Sequence, residues 1–121
     1  MAAMDVQLFG HPKSKASRKA QRWFSERRIA VHYVDVTKRP PSTGELRRFV
    51  QRFGVAGVLD PGAKAYQEQG LQYVSASEDD WLERIGKDPA VLRLPLARCG
   101  PELAVGDDED GWARLAQTAK G

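Results

Sequence analysis

The sequence predicts an α/β fold in which helices flank a small mixed sheet, and three observations predict it. Val6, Leu8 and Phe9 form a short apolar run that Gly10 and Pro12 stop. Ala16, Ala20, Trp23 and Phe24 then recur at helical spacing, and residues 29–36 return to a β-branched, strand-like pattern. Finally, two short apolar runs, 96–99 and 103–105, flank a Gly100-Pro101 turn near the end of the chain. The first three elements make a βαβ unit, which by the general rule crosses over right-handed.

Ser14 suits the N-cap of the first helix, because its hydroxyl can accept a first-turn amide, and Arg27 and Arg28 suit the helix end. Residues 29–36 read as a strand with much of both faces buried, His32 partly so. Pro40 and Pro41 keep the next loop extended. Ser42 and Glu45 form a capping box, Leu46, Phe49, Val50 and Phe53 give an apolar face, and Gly54 is the stop. A short apolar run at 55–59 leads into the Asp60-Pro61-Gly62 turn, then a helical segment over 63–69 closed by Gly70. Ser75 or Ser77 caps a helix that turns Trp81, Leu82 and Ile85 inward, with Gly86 and Pro89 ending it. Residues 90–94 are strand-like up to Pro95, which marks an edge, a bulge or a cis bond. Trp112, Leu115 and Ala116 define a closing helix.

A chain of 121 residues is expected to form one domain, residues 1–121, without metal or disulfide staples. The single cysteine, Cys99, excludes an internal disulfide framework and fits a reducing compartment. No apolar run approaches the roughly 20 residues of a membrane span, and MAAMDVQLFG lacks the pattern of a secretion signal, so a cytoplasmic location is expected. The net charge of +3 is too small to argue for nucleic acid, and no direct nucleic-acid contact is expected. Its distribution is uneven. Lys13, Lys15, Arg18, Lys19, Arg22, Arg27 and Arg28 crowd the first helix, and Glu102, Asp107, Asp108, Glu109 and Asp110 crowd the tail.

Several motifs line up in an order that resembles the arsenate reductase (ArsC) and Spx family of thioredoxin-like proteins. They are Pro12 with Ser17-Arg18-Lys19-Ala20; Val34-Asp35-Val36; Pro41 with Glu45-Leu46; Ala65-Tyr66-Gln67-Glu68-Gln69-Gly70-Leu71; Asp88-Pro89; and Leu92 to Leu96 around Pro95. The resemblance implies a thioredoxin-like sheet with a helical insertion and makes Pro95 the family's cis-proline, facing the loop before the first helix. It places Ser14 where the reductases carry their nucleophilic cysteine, and Ser17 where Spx-like members carry a second. Leu94, and by looser alignment Ala56 and Glu102, stand where the reductases hold their oxyanion with arginines.

A serine hydroxyl stays protonated at a helix N-terminus where a thiol would ionise, so the resemblance implies a member without the redox centre, working through binding or regulation. Spx analogy implies RNA polymerase or another large protein as partner. The residues left to hold a small anion are His11, Lys13, Ser14, Lys15, Ser17 and Arg18, with Pro95 opposite. The plainer account of Ser14 is an ordinary N-cap on a solvated basic helix, and it is preferred because such caps are common. The alternative is an enzyme: a glutathione-linked reductase using Cys99, or a transferase with an anion site at Ser14. His11 is the only base near Ser14 in sequence, and no third group or oxyanion motif accompanies them, which argues against a Ser-His hydrolase. No metal set is evident, since His11 and His32 lie on different elements and the acidic run lacks EF-hand spacing. No resident cofactor is expected.

Overall fold

The computed structural model describes residues 4–121 and resolves them into two compact units. The first comprises the chain up to Asp35 together with Leu94–Gly121; the second is Val36–Arg93.

The first unit holds a four-stranded sheet. Strand β1 (Val6–Gly10) is followed by helix α1 (Lys15–Glu26) and strand β2 (Val31–Asp35); β3 (Leu96–Cys99) and β4 (Glu102–Val105) come from the end of the chain, and the closing helix follows. The order is β2-β1-β3-β4, with β1 and β2 parallel and the other two pairs antiparallel. The mixed sheet expected from the sequence is present. Register aligns Val6 with Val31 and places Tyr33 and Ala97 on either side of Leu8, so alternate residues share one face. There Val6, Leu8, Ala97, Cys99 and Ala104 join Ala20 and Phe24 of α1 and Trp112, Leu115 and Ala119 of the closing helix in one buried cluster. Close approach of that helix requires Gly111, since a Cβ there would fall 2.8 Å from the Ala104 methyl.

Two sequence expectations fail in this unit. Strand β2 is an edge strand, so its residues are half-buried and His32 is exposed; the β-branched composition that suggested two covered faces reflects strand propensity, not burial. In α1 the buried stripe is Ser17, Ala20 and Phe24, with Ala16 and Trp23 only half-buried. Both stripes have helical spacing, and the sheet selects the one that carries a serine.

Helix α1 ends in a Schellman motif: the Ile29 amide donates to the Phe24 carbonyl and the Arg28 amide to that of Ser25. Phe24 and Ile29, both buried, close the motif with an apolar contact position. The left-handed residue is Arg28, at φ 59°, where glycine is the usual occupant. Arg28→Gly is therefore expected to raise stability by about 0.5–1 kcal/mol in urea unfolding, and a loss would refute the strain.

In the second unit, α2 (Thr43–Val58) is capped by Ser42, whose hydroxyl accepts the Glu45 amide. Gly54, at φ 79°, breaks it as the sequence predicts, but the chain then resumes a helical turn to Val58 before Leu59 forms a bridge with Leu92. A short α3 (Lys64–Glu68) and a 3-10 turn (Leu71–Tyr73) lead to α4 (Glu78–Lys87), capped by Ser77 and packed on α2. Trp81, Leu82 and Ile85 are buried as expected, while Gly86 lies inside the helix. The strand expected over 90–94 is absent: Asp88 caps the 3-10 turn Pro89–Val91, and only Leu92 makes a bridge. Pro89 at the head of that turn favours the tighter coil over an extended run.

The Leu94–Pro95 bond is cis, and the Pro95 carbonyl accepts the Gly106 amide at 2.8 Å. The final helix, α5 (Glu109–Lys120), starts at Asp108, whose carboxylate accepts the Gly111 amide. Among the described residues no helix is long and apolar enough to cross a membrane.

Candidate functional site

The site is built where β1 hands the chain to α1. Gly10 is the last residue of the strand, and a Cβ on it would lie 2.7 Å from the Ser17 hydroxyl and 3.1 Å from the Tyr33 ring. Without that Cβ, Ser17 can sit 1% exposed beneath the loop, where its hydroxyl accepts the His11 amide at 3.3 Å. Ser14 is the N-cap, its hydroxyl accepting the Ser17 amide at 3.1 Å. Each serine oxygen is thus committed to a backbone amide of the same loop.

The rest of the loop is closed in the same way. The Lys13 amide donates to His11 Nδ1 at 3.0 Å, the Ser14 amide to the His11 carbonyl at 3.0 Å, and the Arg18 guanidinium to the Pro12 carbonyl at 2.6 Å. A neutral His11 with Nδ1 as acceptor carries its proton on Nε2. The one base near Ser14 therefore turns a ring nitrogen onto backbone instead of onto the serine hydroxyl, and no Ser-His pair forms. Lys13, Lys15 and Arg18 are exposed around this helix start. Lys19 is not part of it: its ammonium lies 3.0 Å from Asp107 and 3.2 Å from Glu109, and those hydrogen bonds, Asp107 first, raise its pKa.

The structure therefore gathers His11, Lys13, Ser14, Lys15, Ser17 and Arg18 into one turn of loop and helix. Pro95 lies at the same end of the sheet: it immediately precedes β3, whose Leu96 pairs with Phe9, the residue before Gly10. Leu94, half-buried, precedes it. Glu102 lies on β4 beside Arg114, 3.9 Å away, and Ala56 is exposed in the turn after the α2 break. The burial of Ser17 is what the sequence reading missed; the 17, 20, 24 spacing was the signal that could have found it.

Cys99 is not brought to this loop. It lies four residues along the strand from Pro95, roughly 13 Å at strand rise. It is 1% exposed, and burial pushes its thiol pKa up. Tyr33 is also raised, by burial first and by Asp35 second. A proton held more tightly in the folded state stabilises fully below the unfolded pKa and is lost as pH rises through the folded one. Unfolding free energy should thus fall above about pH 9, with a slope of at most about 1.4 kcal/mol per pH unit for each group. Cys99→Ala should flatten the first part of that decline; an unchanged slope would show that the thiol titrates alike in both states. Among the described residues, no three His, Cys, Asp or Glu side chains cluster to hold a metal ion.

The model of the ArsC family matches residues 9–115, from the end of β1 into α5. An arsenate reductase of Neisseria meningitidis is 30% identical over 105 residues, covering 84% of this chain and 90% of that protein. The global transcriptional regulator Spx of Streptococcus agalactiae is 23% identical over 107 residues, covering 87% and 78%. The solved structure of an arsenate reductase from Vibrio cholerae superposes with a TM-score of 0.81 at 22% identity, covering 93% of this chain and 98% of that one, a likeness of fold. A matching family model over most of the length, a relative at 30% identity and a shared fold together make this chain a member of the ArsC family.

Proposed function

We propose that this ArsC-family protein lacks the redox-active cysteine and acts by binding, as a non-catalytic or regulatory member. One observation carries the reading: Ser14 and Ser17, which the resemblance sets at the family's cysteine positions, each accept a backbone amide of the loop they belong to. Serine at a helix N-terminus cannot supply the thiolate that thiol exchange requires. Leu94 before the cis-proline supports the same reading, since an aliphatic side chain offers an oxyanion nothing. The basic residues around the helix start remain able to meet a small anion or an acidic protein surface.

The partner is proposed to be a protein, with RNA polymerase as the instance suggested by the similarity to Spx, and the location cytoplasmic. The enzyme alternative, a glutathione-linked reductase through Cys99, is opposed by the burial of that thiol and its raised pKa. No resident cofactor enters the proposal; glutathione would enter only as the co-substrate of that rival.

The test is an arsenate reduction assay with glutathione and a glutaredoxin system. Arsenite at the blank level is expected; robust turnover abolished by Ser14→Ala would sink the reading. Mass spectrometry after oxidised glutathione treatment should leave Cys99 unmodified in the folded protein. A pull-down against RNA polymerase that recovers no stoichiometric complex would remove that partner.

A further inference from the structure

Strand β2 is the edge of the sheet, with β1 as its one strand neighbour among the described residues. The Val6 amide donates to the Ala30 carbonyl at 3.0 Å, and Val6 is in register with Val31. In a parallel pair this phase turns the even-numbered residues of β2 toward β1 and leaves the N–H and C=O groups of Val31 and Tyr33 pointing away from the sheet. Edge strands are usually blunted by lysine, proline or a bulge, yet VHYVD carries none of these.

Alongside this edge runs a groove of about 520 Å³ between the C-terminal half of α1 and β2, lined by Gln21, Ser25, Arg28, Val31 and Tyr33 among others. The one charged side chain that lines it is Arg28, while Asp35 stands near its Tyr33 end. That is the residue held at φ 59° in the left-handed position of the α1 terminus, where glycine would sit without strain. Local strain retained at one position is a pointer to use, and what Arg28 adds over glycine is a guanidinium beside a free strand edge. On the same helix Arg22 and Glu26 are exposed and Arg27 lies over the Trp23 ring, so Arg28 is the charge the groove itself presents.

We propose that this edge binds an acidic protein segment in extended conformation. The segment adds a strand to β2 through the Val31 and Tyr33 backbone, drops alternate side chains into the groove, and sets a carboxylate against Arg28. This rests on the reading of the chain as a binding protein and names the surface and the chemistry of its partner. The two fail separately: a blank peptide titration beside a blank arsenate assay removes the docking site and leaves the non-catalytic reading standing.

The experiment titrates the full chain into a fluorescein-labelled, end-blocked octapeptide of alternating valine and glutamate, followed by anisotropy, with ¹⁵N amide shifts recorded in parallel. Saturable binding is expected, with the largest shifts at Val31 and Tyr33. The same peptide with lysine for glutamate should not bind. Arg28→Gly should weaken binding roughly tenfold or more while the melting temperature holds or rises, which separates lost recognition from lost folding. The proposal is overturned by no saturation up to about 1 mM, by equal binding of the lysine peptide, by indifference to Arg28→Gly, or by shifts centred elsewhere. Self-association of the free chain through β2 would also overturn it, making the occupant a second copy.

Discussion

Ser14→Cys should convert an inert helix start into a fast-reacting thiol. In the wild-type chain the only sulfhydryl, Cys99, lies beneath α5 with its pKa raised by burial, so Ellman's reagent should titrate it only as the protein opens. A thiol at position 14 would sit at the N-cap of a twelve-residue helix with Lys13, Lys15 and Arg18 around it. Thiols in such settings have pKa values of about 3.5–7.5 against about 8.5 for a free one, so the ionised fraction at neutral pH rises from a few per cent to roughly a quarter or more. One equivalent should therefore react at once, with a pH–rate midpoint below that of glutathione. The exchange also removes the hydroxyl that accepts the Ser17 amide, at about 1 kcal/mol of stability. Arsenate turnover should stay at blank, because Leu94 still precedes the cis-proline. A pH–rate midpoint at the free-thiol value would mean that the helix terminus exerts no pull, and immediate reaction of the wild-type chain would contradict the burial of Cys99.

The second large effect is expected at Trp112. Its side chain is fully buried among Trp23, Phe24 and the small residues of β3 and β4, with ring centroids 5.9 and 6.2 Å from Trp23 and Phe24. Trp112→Ala should lose about 3–5 kcal/mol, since neither sheet nor helix can collapse into the space. The indole N–H is buried without a hydrogen-bond partner, a standing penalty of roughly 1–3 kcal/mol that the ring's packing outweighs. Trp112→Phe keeps a ring and removes that orphan donor, so its loss should be less than half that of the alanine variant. Equal losses in urea unfolding would show that a phenyl ring recovers none of the packing, and a loss below about 2 kcal/mol for alanine would show a core able to close.

The sequence made the element order legible wherever local chemistry decided it. Ser14, Ser42 and Ser77 cap the helices because a serine hydroxyl can take a first-turn amide wherever the chain lies in the fold. Gly54, Gly70 and Gly100 mark breaks at positive φ for an equally local reason. What was not legible depended on long-range pairing. His32 is exposed because β2 has one neighbour in the sheet, and Ser17 is buried because Gly10 leaves room above it. Neither fact is written within a few residues of the side chain concerned. The run over 90–94 misled in another way: Val91 and Leu92 are buried as a strand's residues would be, but Pro89 starts a 3-10 turn that delivers them inward without a strand, and Ala90 stays exposed. For the site, the residues around the loop were identifiable one by one, whereas their closure onto backbone, His11 onto the Lys13 amide and Arg18 onto the Pro12 carbonyl, required the fold.

The antiparallel pairing of β1 with β3, Gln7 opposite Arg98, joins segments far apart in sequence and dictates an order of events during synthesis. Strands β1 and β2 can meet once residue 35 exists, but the other side of β1 has no neighbour until residues 96–99 have been made, and Val6 and Leu8 have no Trp112 until later still. Over that interval the nascent chain exposes an open strand and an apolar face, the features that recruit chaperones and invite mispairing. Premature termination before α5 should therefore yield a fragment that is cleared or aggregates instead of a smaller folded protein.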